Sequence, residues 1–162
     1  MPVPDFLPIL RTLVERRADF IVVGGVGAAL EGAPIMTLDL DLVHSRDSSN
    51  IGRLLSSLDA LGARYRTQPE RHLKPQGSHL MSESHQLLVT RYGPLDLLGS
   101  IGRSHTYEDL LSDSIEVDAG VRISVLKLER QIAIKEETAG EKDLAVLPVL
   151  LRTLEEKKRG KI

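Results

Sequence analysis

Cysteine and tryptophan are both missing from this 162-residue chain. Without cysteine there is no disulfide, no thiolate metal ligand and no cysteine nucleophile, and a reducing, cytoplasmic setting is the expectation. Aromatic residues make up only 3%, too few for a platform on which single-stranded bases could stack. No apolar run is long enough to cross a bilayer. The apolar N-terminal stretch is interrupted by Asp5, Glu15 and Asp19, which a signal peptide would not tolerate, so no membrane contact is expected. Excess charge is missing too. The 21 Lys and Arg stand against 23 Asp and Glu, for a net charge of −2, which argues against a protein that simply coats nucleic acid. The remainder is an ordinary globular balance, 41% hydrophobic and 27% charged, with no repeat, low-complexity tract or linker. One domain over residues 1–162 is expected.

Periodicity divides this domain into a core, about 20–125, and a pair of C-terminal helices within 126–158. Apolar residues at three- and four-residue steps (Phe6, Leu7, Leu10, Leu13, Val14) predict a helix over 4–18. Phe20 to Val23 is a fully apolar strand ending at Gly24-Gly25, with a short helix from Val26 to Glu31. Residues 37–44 alternate with period two and predict a strand, followed by a helix capped by Ser48 or Ser49. Residues 66–85 are polar and aperiodic and are expected to form a loop with little regular structure. Two hairpins follow, one joined by Tyr92-Gly93-Pro94 and one by Ala119-Gly120, and then two helices parted by Ala139-Gly140. Strands, hairpins and crossovers together predict an α/β (α+β) domain with a mixed sheet and flanking helices.

The informative piece is the strand at 37–44. Alternation puts Leu38, Leu40 and Leu42 toward a core and Thr37, Asp39 and Asp41 on the opposite face. Two carboxylates on one face repel each other and are costly to bury unless a cation joins them. With eleven Asp in the chain, about 0.7 Asp-x-Asp pairs arise by chance, so the motif alone decides nothing. Two further features give it weight. The glycine pair opening a helix exposes backbone N–H groups that suit phosphate. Asp96, isolated among leucines in Pro94-Leu95-Asp96-Leu97-Leu98, is expensive to bury unless it is paired. Set beside Asp39 and Asp41, it would complete a metal site or accept a proton. Histidines offer no metal-ligand spacing. His72, His79 and His85 are expected at the surface, and His44 is expected to pack.

The order Val23-Gly24-Gly25, then Asp39-Leu40-Asp41-Leu42, then a lone strand Asp96 resembles the signature of the DNA polymerase β-like nucleotidyltransferase superfamily. Within that superfamily the chain looks like the small AbiEii/AbiGii toxin-type nucleotidyltransferases. The resemblance continues through Leu97 to Gly102, Tyr107 to Leu111, Val125 to Lys135 and Ala139 to Leu144, about residues 20–150. It implies a nucleotidyltransferase fold whose C-terminal helical pair closes a cleft. It also implies that Asp39, Asp41 and Asp96 hold Mg²⁺ (Mn²⁺ being possible), that Gly24, Gly25 and Thr37 line the nucleotide site, that Lys135 reaches the phosphates, and that Asp143 positions Lys135 or a base. The implied activity is Mg-dependent transfer of NMP from an NTP to an RNA (tRNA) or protein hydroxyl, in a toxin–antitoxin setting with a partner protein. Two positions depart from relatives, which often carry Arg where Ile35-Met36 and Glu141 stand here. Both changes remove positive charge from a triphosphate site. They keep an alternative open: a weakly active or inactive nucleotidyltransferase-fold binding module, acting as an antitoxin-like partner. A metal-dependent phosphohydrolase is a further alternative.

Overall fold

A computed structural model describes residues 5–162. Its elements, in chain order, are α1 (Phe6–Glu15), β1 (Phe20–Val23), α2 (Gly24–Leu30), β2 (Leu40–His44), α3 (Ser48–Ala60), β3 (Arg64–Tyr65), α4 (Gly77–Leu80), β4 (His85–Thr90), β5 (Gly93–Leu98), α5 (Tyr107–Leu110), β6 (Ser114–Asp118), β7 (Arg122–Leu126), α6 (Leu128–Thr138) and α7 (Glu141–Lys158). The strands form one mixed sheet in the order β3-β4-β5-β2-β1-β7-β6. At its centre β2 runs antiparallel to β1 and parallel to β5, and β1 runs parallel to β7. Both expected hairpins are present, as β4–β5 and β6–β7. No helix among the described residues is long and apolar enough to cross a membrane.

Side-chain alternation gives the sheet two different faces. Phe20, Val22, Leu40, Leu42, Leu88, Leu95, Leu97, Ile123 and Val125 point to one side and pack under α1 and α3, against Ile9, Leu10, Leu13, Ile51, Leu54 and Leu58. Ile21, Val23, Val43, Leu98 and Leu126 point to the other side and meet Leu110 of α5 and Ile134 of α6. A third cluster joins α2, α6 and α7 through Ala28, Leu128, Ile132, Leu147 and Leu150. Buried Glu31 ties this corner together. It accepts the Leu128 N–H at 3.3 Å and the Lys157 ammonium at 2.6 Å, so the end of α2 is bound to the start of α6 and the end of α7. On the opposite flank the fully buried Asn50 bonds the backbone N–H and C=O of Asp19 and the carbonyl of Ser45, joining the entry to β1 with the exit of β2.

Several boundaries differ from the sequence expectation. The strand expected at 37–44 begins only at Leu40, and Leu38, expected in the core, is 64% exposed. The chain of β1 turns into α2 right after Val23, the partner of Asp41, so residues 37–39 have no neighbour on that side. The register with β5 would bring Asp39 to Pro94, which has no N–H to share. Thr37 takes over instead, its hydroxyl donating to the Asp39 carbonyl at 3.0 Å. Asp39 therefore precedes the strand rather than sharing a strand face with Asp41. The glycine pair is the first turn of α2 itself, not a turn before it. Helix α1 covers 6–15 of the expected 4–18, and residue 4 lies outside the described residues. Asp47, not a serine, is the N-cap of α3. The polar stretch 66–85 holds one turn of 3₁₀ helix at Pro69–Arg71 and the four-residue α4, and β3 just before it had no detectable period.

Candidate active site

The cleft lies at the end of β1 and β2, between the sheet and α6, and measures about 250 Å³. Val23, Leu98, Leu126 and Ile134 give it apolar walls, while Gly24, Asp41, Lys135, Thr138 and Asp143 bring the polar groups. Two strand registers assemble its acidic part. Val23 is paired with Asp41, and Asp41 is paired across the parallel ladder with Asp96. Cross-strand partners share a face, so the two carboxylates stand side by side on the face that α1 and α3 do not cover.

The glycine bend lies on that same side. Gly24 has φ of +64°, a left-handed conformation that favours glycine, and a Cβ there would run into the Asp41 carboxylate. A Cβ on Gly25 would stand 2.9 Å from Cβ of Thr37. Gly24, Gly25, Thr37 and Asp41 are therefore in mutual contact distance. Thr37 reaches this position from the irregular segment that precedes β2.

The carboxylates perturb one another. The Asp41 carboxyl is raised from an ordinary 3.8 to about 7. Burial is the largest cause, followed by the charge of Asp96, a hydrogen bond with Asp96 and the charge of Asp39, with Arg66 partly offsetting them. Asp96 is itself 8% exposed. It is not paired with the other acids alone, because Arg66 Nη1 donates to its Oδ1 at 2.6 Å. Among the described residues no three His, Cys, Asp or Glu side chains are grouped closely enough to enclose a metal ion. The donor chemistry still suits a hard cation. The available ligands are carboxylate oxygens, and Mg²⁺ is usually held by one or two carboxylates together with substrate phosphates rather than by an all-protein cage. A site whose negative charge lifts a carboxyl by about three units is one that a divalent cation would relieve.

On the opposite wall, Lys135 Nζ lies 3.4 Å from Asp143 Oδ1, across the Ala139-Gly140 junction between α6 and α7. Thr138 donates to Asp143 Oδ2 at 2.6 Å. That hydrogen bond, reinforced by Lys135, holds the Asp143 carboxyl below its ordinary range. Ala139 makes the reversal possible by adopting φ of +46° as the C-cap of α6, with Gly140 as the N-cap of α7. The structure thus gathers Gly24, Asp41, Lys135 and Asp143 around one cleft, with Asp96 beside Asp41 and Thr37 beside Gly25. Asp39 is close enough to act on Asp41 electrostatically but stands outside the ladder.

Four residues of this neighbourhood escape sequence reasoning. Arg66 sits in a polar stretch without periodicity, and nothing local connects it to Asp96. His85, expected at the surface with His72 and His79, lines the cleft and is fixed by Nε2–H donating to the Ser100 carbonyl at 3.0 Å. Gln131 and Thr138 fall one turn before and three residues after Lys135 on α6, and that helical spacing was a usable signal for both. His44, expected to pack, is 1% exposed, and burial lowers its imidazole from the ordinary value.

No family model matches the chain, and no curated protein matches it. Solved structures do. A protein of Thermotoga maritima described as a candidate nucleotidyltransferase superposes with a TM-score of 0.56 at 18% identity, covering 94% of this chain and 96% of its own. The lincosamide antibiotic adenylyltransferase LnuA, in its lincomycin-bound form, gives 0.58 at 17% identity, covering 90% and 93%. The antibiotic-resistance factor ANT(2'')-Ia gives 0.60 at 16% identity, covering 90% and 80%. The chain has the nucleotidyltransferase fold, and its acidic cleft lies within the part shared with these structures.

Proposed function

We propose that this protein is a metal-dependent nucleotidyltransferase that moves a nucleoside monophosphate from an NTP to an acceptor hydroxyl. The supporting observation is one constellation: Gly24 pressed against Asp41, Asp41 opposite Asp96, and Lys135 across the same cleft. In this reading the triphosphate lies along Gly24 and Gly25, where the first backbone N–H groups of α2 are free of intrahelical partners. Lys135, held in place by Asp143 and Thr138, meets the phosphates as a point charge. Asp41, with Asp39, would hold Mg²⁺ (or Mn²⁺). The bound ion neutralises phosphate charge and acidifies the attacking hydroxyl. The acceptor oxygen bonds to the α-phosphorus, the bond from that phosphorus to the β-bridging oxygen breaks, and pyrophosphate leaves in line. No covalent enzyme intermediate is needed.

The AbiEii-type resemblance supports an RNA (tRNA) or protein hydroxyl as acceptor and a toxin–antitoxin partner. The likeness to LnuA and ANT(2'')-Ia supports a small hydroxylated compound as a second reading of the acceptor. The charge lost at Ile35-Met36 and Glu141 favours the inactive binding module instead. One experiment separates these. The protein is incubated with each α-labelled NTP, Mg²⁺ and, in turn, total RNA, a protein lysate and lincomycin. Label should enter one acceptor class and should vanish when Asp39→Asn and Asp41→Asn are combined. Transfer that survives the double substitution removes the proposed centre. Absence of both transfer and NTP binding at millimolar nucleotide supports the binding module.

A further inference from the structure

Arg66 lies just beyond β3, and its backbone N–H continues the ladder by donating to the Leu87 carbonyl at 3.1 Å. Leu87 is paired with Asp96, and Asp96 with Asp41. Alternation from Tyr65, which pairs with Leu88, places Arg66 on the face of Leu87 and the two carboxylates. Its side chain crosses β4. Nη1 donates to the Leu88 carbonyl at 2.7 Å and to Asp96 Oδ1 at 2.6 Å. The pair is mostly covered, with side-chain exposures of 28% for Arg66 and 12% for Asp96.

We infer that Arg66 stands where a second metal ion would act, so that the site takes one divalent cation instead of two. The inference rests on the nucleotidyl-transfer reading above. A guanidinium is always charged and forms directed bonds to carboxylate. For Asp96 to become a metal ligand, its Oδ1 would have to leave Arg66, and a covered guanidinium would lose its counter-ion, a costly step. The donors left for metal are Asp41 and Asp39, which suit one ion completed by substrate phosphates and water. The absence of any three-ligand acidic cluster among the described residues agrees with this. So does the direction in which Arg66 acts on Asp41, opposing the effect of the neighbouring acids. Arg66 is accordingly a positioning residue. It keeps Asp96 turned to its own charge and supplies, as a fixed cation, part of the neutralisation that a second ion would bring.

Metal stoichiometry tests this independently of turnover. The full chain is titrated with Mn²⁺ in the presence of the α,β-methylene analogue of each NTP in turn, with bound ion followed by electron paramagnetic resonance against nucleotide alone. One Mn²⁺ per chain is expected, with the uncoupled spectrum of an isolated ion. Arg66→Gln should admit a second ion, and adding Asp96→Asn to it should return the count to one. Arg66→Lys should stay at one. Two ions in the wild type, with the exchange-broadened spectrum of a pair roughly 4 Å apart, would overturn the inference while leaving nucleotidyl transfer in place. A count of one in a folded Arg66→Gln variant would overturn it as well. Should that variant not fold, the wild-type spectrum decides alone. No bound Mn²⁺ at all would bring down the metal-dependent reading itself, and this inference with it.

Discussion

On β2, Leu40 and Leu42 point into a dry core under α1 and α3, whereas Asp41, between them, faces the cleft beneath α6. The same alternation operates on β5, where Leu95 and Leu97 are fully buried and Asp96 lies between them on the other face. The covered face is apolar throughout and holds the sheet together. Each fully buried leucine contributes roughly 1.5–3 kcal/mol. The cleft face gives up that gain at its centre. Two acids sit next to each other there at a cost that shows in the raised Asp41 carboxyl. The apolar face of the sheet supplies the stability that the cleft face spends on holding like charges in place for a ligand.

This contrast can be broken at a single residue. Asp41→Asn should lower nucleotidyl transfer by about 10³-fold or more, roughly 4 kcal/mol of transition-state stabilisation, as measured by label transfer. The same substitution should make the ligand-free protein more stable at pH 8. The sign follows from linkage. A carboxyl whose folded-state value lies above its unfolded value contributes stability that is complete below about pH 4 and lost as pH rises through about 7. Wild-type melting temperature should therefore fall between pH 5 and 8 relative to Asp41→Asn, and Mg²⁺ with nucleotide should restore it. Equal pH profiles for the two proteins would remove the electrostatic account of the cleft.

On the covered face the expectation reverses. Leu42→Ala should cost about 3 kcal/mol of stability in a denaturant titration while leaving NTP affinity of the folded protein unchanged. Gly24→Ala acts on both faces of the argument. A left-handed φ and a side chain directed at Asp41 should cost on the order of 1–3 kcal/mol and weaken NTP binding together. The smallest effect belongs to Lys135→Ala. It should raise the dissociation constant for NTP about tenfold, roughly 1.4 kcal/mol, in calorimetry, with little change in stability, since Lys135 is bonded only to the half-buried Asp143. A large stability loss there would make the Lys135–Asp143 pair a structural brace between α6 and α7.

Much of the architecture was legible because it is local. Period-two leucines marked β2 and β5, Gly-Pro and Ala-Gly pairs marked the hairpins, and Ala139-Gly140 marked the break between the last helices. Legibility failed where a neighbour decided the outcome. Leu38 continues the apolar alternation, yet it is exposed because β1 has already turned into α2 and Pro94 offers no donor on the other side. His85 belongs to a polar stretch by composition, yet the β4–β5 pairing carries it to the cleft.

From its residues alone this chain determined which segments become strands and helices, and that it carries a glycine bend, an Asp-x-Asp and a lone strand aspartate, because those depend on backbone preference and side-chain alternation within a few residues. Only the tertiary structure decided that Asp41 and Asp96 lie side by side, that Asp39 stands off the ladder, and that Arg66 spans β4 to hold Asp96. Strand register is set by pairing between distant segments, and electrostatic coupling follows distance in space, which no local pattern encodes.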